Sequence, residues 1–225
     1  MRRSPFAAAL LALWMAGCGT PAPREAEWRG AARGALAEYV RLRLEGNAAA
    51  ARAYLGAQER MRDGGDLDGL HTVLLTRCAL DVALLREADC GEFAQRATGA
   101  RAEALAYRGL LTGTLAAADL PALPERYRAF AQALVGGGSV APAVAAITDP
   151  VSRMIATGVA VRGGRADDTL LAASSALARE QGWRAAHRAH EEARARRLEG
   201  EGRAAEAAAL RARLRALYDA PVNTP

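Results

Sequence analysis

Cys78 and Cys90 stand twelve positions apart, the first inside a long apolar stretch and the second just after Glu87-Ala88-Asp89. Two thiols so placed can join as a disulfide, stay as separate buried thiols, or serve redox or metal chemistry. If residues 86–90 run back extended along the helix that carries Cys78, they cover the roughly 12 Å that eight helical residues climb, and a disulfide pins that return. The spacing is not the two-residue gap of thioredoxin-like motifs, which argues against redox catalysis. His187, His190 and Glu191 fall at i, i+3 and i+4, on one helix face, a geometry able to hold a metal. A site needs further ligands from another element, and only His71, far away in the chain, is left to supply one. The order also differs from His-Glu-x-x-His, so the expectation is no metal and a solvated histidine pair on an Arg- and Glu-rich face.

Other nucleophiles have less support. Ser152, Ser174 and Ser175 lie in helical context without a Gly-x-Ser-x-Gly elbow. Gly136-Gly137-Gly138-Ser139 has no strand before it and no Lys after it, so it reads as a hinge rather than a phosphate loop. A hydrolase of cell-wall material needs two carboxylates converging in a cleft, and Glu191 and Glu192, being adjacent, cannot face each other. The expectation is therefore a chain that is not an enzyme, with no catalytic residue and no cofactor.

Charge excludes little else. The net charge is +5, and without Arg2 and Arg3 it is +3, too small to force an acidic partner. Every basic residue is Arg, interleaved with Glu and Asp and with no aromatic platform beside it, so no nucleic acid is expected. The all-Arg usage, with abundant Ala and Gly, fits a bias toward GC-rich codons.

The elements that must carry these residues are helices. Aromatic residues are only 5% of the chain and Ala is abundant, which favours close-packed helices over a sandwich or barrel. Trp28, Ala32, Ala35, Tyr39 and Leu42 recur on one stripe, and Gly46-Asn47 stops that helix. A second helix follows over 48–62, close enough to be its antiparallel neighbour. Residues 67–85 form the most apolar stretch of the folded part and are expected to be the central core helix; Arg77 and Asp81 inside it, at i, i+4, argue against a membrane span. Further helices are expected over 101–117 and 124–134, then a short segment over 140–147. Asp149-Pro150 starts another helix as N-cap and first helical residue, and three more follow over 167–180, 183–199 and 203–218. Trp183, at a helix start, reads as a core anchor.

The amino terminus suggests an address. Arg2 and Arg3 precede an apolar run from Phe6 to Met15, too short to span a bilayer, and small residues follow, as in an export signal. Met15-Ala16-Gly17-Cys18 resembles the lipobox of bacterial lipoproteins, with Met15 where that family most often has Leu. The resemblance implies that Cys18 is the lipidation site, diacylated and then, once the signal is cut in front of it, acylated at its new amino terminus. Such a location permits disulfides, so Cys78 and Cys90, the two cysteines left over, are expected to pair. Gly19 stands where Asp would retain such a protein in the inner membrane, so the resemblance implies an outer-membrane lipid anchor facing the periplasm.

One junction recurs, at Gly46-Asn47-Ala48, Gly164-Arg165-Ala166 and Gly202-Arg203-Ala204. A helix that ends on Gly and restarts within two residues folds back on its predecessor, so the three copies imply stacked antiparallel hairpins. Residues 183–217, with Ala186, Ala189 and Ala193 where helices touch, resemble a tetratricopeptide-type hairpin without a regular period. The chain as a whole, with its Leu-His-Thr-Val-Leu-Leu-Thr-Arg-Cys core, also resembles uncharacterised proteobacterial lipoproteins, which implies no activity. The expected organisation is a signal peptide (1–17), a lipidated tether (18–23), an N-terminal helical half (24–135), a hinge or linker (136–148), a C-terminal hairpin half (149–219) and a disordered tail (220–225). The expected function of this all-α chain is a non-catalytic scaffold or assembly factor that binds an envelope protein. The alternative is a small-ligand or metal binder with a pocket between the halves.

Overall fold

The computed structural model describes residues 27–219, and among them all regular structure is helical, with no strand. The signal, Cys18, the tether and the tail expected over 220–225 lie outside the described residues. The helices are α1 (Glu27–Glu45), α2 (Ala50–Asp63), α3 (Leu67–Ala83), α4 (Gly91–Gln95), α5 (Ala102–Thr112), α6 (Glu125–Val135), α7 (Ala141–Ala145), α8 (Pro150–Arg162), α9 (Asp168–Glu180), α10 (Arg184–Gly200) and α11 (Ala204–Tyr218). A 3-10 turn, Ala117–Ala122, lies between α5 and α6.

The fold-back junctions share one local chemistry. At Gly46, Gly164 and Gly202 the backbone is left-handed (φ +79°, +66° and +78°), a region that costs glycine nothing. In each case the next N–H reaches back to a carbonyl of the helix just ended: Asn47 to Leu42, Arg165 to Ala160 and Arg203 to Leu198, all at 2.8 Å. Gly182 makes a fourth copy, with the Trp183 N–H on the Ala178 carbonyl at 2.8 Å. These turns pack α1 on α2, α8 on α9, α9 on α10 and α10 on α11. Three helices start on Asp side chains that accept a main-chain N–H: Asp66 from Gly69, Asp149 from Ser152 and Asp167 from Leu170, at 2.7–2.8 Å.

The apolar α3 is the hub. It packs against α1, α2, α4, α5 and α8, and Val73, Leu74, Leu75, Cys78, Ala79, Leu80, Val82 and Ala83 are all buried. Its closest neighbour is α8, where Gly158 lies so near the Val82 carbonyl that a Cβ would collide with it. Arg77 and Asp81 each pair with another element: Arg43 of α1 reaches Asp81 at 2.5 Å, and Arg77 binds Asp89 and Glu92, both at 3.1 Å. One core cluster runs from Ala32 of α1 to Ala193 of α10, and it takes in Val140, Val144 and Ile147. A second, small cluster (Ala195, Leu198, Ala207 and Leu210) holds α11 on the end of α10.

The helix expected over 101–117 is shorter than the sequence pattern suggested. It stops at Thr112 because Gly113 turns left-handed (φ +76°), and the Thr114 N–H then bonds the Gly109 carbonyl at 2.9 Å. Gly109 lets the Leu115 backbone pass close to the helix, and the chain resumes as the 3-10 turn.

Candidate functional site

Cys78 and Cys90 form a disulfide, with Cα atoms 5.0 Å apart. The chain reaches that contact by leaving α3 at Ala83, taking a left-handed residue at Leu85 (φ +54°), and bonding the Arg86 N–H back to the Asp81 carbonyl. Beyond Cys90 the short α4 is fastened down by Phe93, which is fully buried, and by Glu92. The Glu92 carboxylate accepts from the Tyr54 hydroxyl at 2.5 Å and pairs with Arg77 and Arg96, each at 3.1 Å. Partial burial raises the Glu92 pKa, but Tyr54, Arg96 and Arg77 together outweigh it and hold the carboxyl below the usual glutamate range. His71 Nε2 donates to the Arg96 carbonyl at 2.7 Å, with its ring edge-on to Phe93. His71 therefore serves the α4 strap.

The histidine pair on α10 is not solvated, contrary to the sequence expectation. His190 is fully buried, and its Nε2 donates to the Ala83 carbonyl at 2.9 Å. Burial, opposed by that hydrogen bond, lowers its pKa from 6.5 to about 4, so the ring is neutral at physiological pH. His187 turns to the Tyr218 hydroxyl at 2.6 Å and is lowered too, chiefly by burial. Glu191, also buried, accepts a short hydrogen bond from the Ser175 hydroxyl. Three residues on one helix face thus point their polar atoms at three different helices. Among the described residues there is no group of three His, Cys, Asp or Glu placed to hold a metal.

The remaining singled-out residues are engaged structurally. Ser174 donates to Met154 Sδ at 3.0 Å, and Trp183 is buried in the core. Two carbonyls of the glycine run, Gly137 and Gly138, accept from Arg165 at 2.5 and 2.6 Å.

Several concavities open among the described residues, two of them lined by histidine. The first is a cleft of about 340 Å³ among α3, α5, α6 and α8. Its floor is apolar (Val40, Leu75, Leu80, Val151 and Ile155), and one wall is the stacked pair Tyr107 and Tyr127, with ring centroids 5.3 Å apart. Arg126 lies over the Tyr127 ring in a cation–π contact, 5.3 Å to the centroid, and Glu103, Asp149 and the Asp68–Arg101 ion pair complete the rim. The second is a groove of about 290 Å³ across α9, α10 and α11, lined by Arg179, His187, Arg194, Arg213 and Leu217. Arg194 is bound to Asp168 at 2.6 Å, whereas Arg179 and Arg213 form no ion pair among the described residues. Leu217 is 66% exposed.

Tyr107 and Tyr127 stand twenty residues apart in the chain, on α5 and α6. No periodicity signals a pair formed between separate helices. No helix among the described residues is long and apolar enough to cross a membrane. Compared with known proteins, the chain matches no family model, no curated protein and no solved structure.

Proposed function

We propose that the chain is a lipid-anchored lipoprotein of the outer membrane, held through Cys18 and facing the periplasm, and that it binds another envelope protein without catalysing a reaction. The observation that carries this reading is the groove across α9, α10 and α11, where Arg179 and Arg213, two guanidiniums without ion pairs among the described residues, flank the exposed Leu217. An acidic segment with an apolar side chain fits such a surface: the leucine supplies the buried contact and the arginines supply orientation and encounter rate. A lipid anchor raises the effective concentration of the module near membrane-bound partners, which strengthens binding without any added contact.

A photoreactive amino acid placed at Leu217 in living cells tests the reading, with Leu55, exposed on α2, as the control position. The expected result is one discrete protein adduct from position 217 and none from position 55. Equal labelling from both positions, or no protein adduct from 217, contradicts it.

A further inference from the structure

The closing turns of α5, α6 and α8 meet around a groove of about 470 Å³, a volume in the range of small-molecule sites. Leu110, Leu111, Leu115, Leu134, Val135 and Val159 give it apolar walls, and Val135 is 47% exposed. Two cations also line it, Arg162 at the end of α8 and Arg165 just past the Gly164 turn, and both are exposed. Among the described residues no Asp or Glu lines it. Arg162 Nη1 donates to the Leu111 carbonyl at 3.1 Å, and Arg165 Nη2 donates to the carbonyls of Gly137 and Gly138. These acceptors are neutral, and neither arginine forms an ion pair among the described residues. The carbonyls therefore hold each guanidinium in place without cancelling its charge, and they take only a minority of its five N–H donors. The three helix ends contribute negative partial charge, about half a unit each, which fades within a turn. The groove thus carries less than two full positive charges and calls for a single anion.

We propose that this groove binds a free fatty acid, a single acyl chain ending in a carboxylate. The chain lies against Leu110, Leu115, Leu134 and Val159, where its burial is the main source of affinity. The carboxylate sits at the α8 end and accepts from the unused N–H groups of Arg162 and Arg165, whose planar forks match its two oxygens. Both halves of the ligand are needed, because the walls offer the carboxylate nothing and the cations offer the chain nothing. The groove shares no lining residue with that across α9, α10 and α11, so the inference stands or falls independently of protein recognition.

The test compares octanoate, 1-octanol and acetate by NMR titration of the isotope-labelled full-length chain at pH 7.5. The expected result is saturable octanoate binding with shifts centred on the ends of α5, α6 and α8. Octanol, with the same chain and no charge, is expected to bind about tenfold more weakly, the loss of one charge-assisted contact. Acetate is expected not to saturate over the same range. Arg162→Gln with Arg165→Gln keeps an amide N–H for the carbonyls and removes both charges, so it should bring octanoate and octanol to within about twofold of each other. Equal affinities in the unsubstituted protein contradict the proposal and mark a non-selective apolar groove. Acetate binding as tightly as octanoate contradicts it too, and marks a bare anion site. No saturable octanoate binding at millimolar concentration also overturns it. If the double variant unfolds, Gly163→Leu decides. A Cβ at Gly163 meets the Val159 carbonyl oxygen, Arg165 Cγ and Leu134 Cδ1 at 3.5–3.6 Å, which is ordinary contact, and the longer side chain fills the groove. Loss of octanoate binding in that variant supports the site, and unchanged binding overturns it.

Discussion

His190 Nε2 donates to the carbonyl of Ala83 across 2.9 Å and so fastens the middle of α10 to the last residue of α3. The carbonyls of a helix's last turn have no partner within the helix. A buried imidazole fills one of those places here, and the terminal hairpins are thereby fixed to the hub.

That bond makes stability depend on pH in a defined window. The folded-state pKa of His190 is about 4 against an ordinary 6.5, so between those values the unfolded chain binds the proton that the folded chain refuses. Stability is then full above pH 6.5 and falls as the pH drops toward 4, by roughly 3 kcal/mol for a shift of this size. His187, lowered in the same direction, adds to the slope, while Glu191 opposes both shifts. Urea midpoints measured from pH 7.5 to 4.5 check this, and His190→Gln, which keeps a donor for Ala83, is expected to flatten the curve.

The disulfide closes a short ring. Opening it by reduction, or by replacing Cys78 and Cys90 with Ser, is expected to cost about 3 kcal/mol by the loop-closure estimate. Amide hydrogen exchange should rise in α4 first, because the strap is otherwise held by Phe93, Glu92 and the His71 bond to Arg96. Exchange in α9 and α10 should change little by comparison.

Gly158 and Gly30 both sit inside helices, yet an added methyl is expected to act oppositely at the two. Gly158→Ala drives a Cβ into the Val82 backbone and forces α8 off α3, a loss of about 3 kcal/mol or more. Gly30→Ala meets nothing within 4 Å, and it should gain up to about 1 kcal/mol from helix propensity. Thermal melts of the two variants give the comparison directly.

How much of this was readable beforehand follows from the range over which each feature is encoded. The hub helix, the Asp149 cap and three of the glycine junctions were legible because each is written in a few consecutive residues. The early end of α5 was hidden because Gly113 falls inside an otherwise continuous apolar pattern. The α4 strap is too short to show periodicity, although the return toward Cys78 just before it, over 86–90, was anticipated from spacing. The burial of His190 was illegible for a different reason. Its neighbours on α10 are Arg and Glu, and the group it binds is a main-chain carbonyl 107 residues away that leaves no trace in side-chain type. The cleft, likewise, joins Tyr107, Tyr127, His71 and Ser152 from four helices.

Replacement of Cys18 tests the proposed anchor. Cys18→Ser is expected to move the protein from the membrane fraction to the soluble periplasmic fraction, or to leave it uncleaved, because only the thiol accepts the diacylglycerol. Lipid labelling of the unsubstituted protein should be lost in the same variant. Unchanged membrane fractionation of a cleaved Cys18→Ser product would remove the anchor from the reading.

The most direct measurement of protein recognition is the yield of the position-217 adduct after charge reversal at Arg179 and Arg213, neither of which supports the core. Arg179→Glu with Arg213→Glu should cut that yield at least tenfold while the melting temperature stays within about 2 °C, because exposed substitutions of this kind are nearly neutral for stability. An adduct formed at undiminished yield by the reversed variant would contradict recognition through this groove.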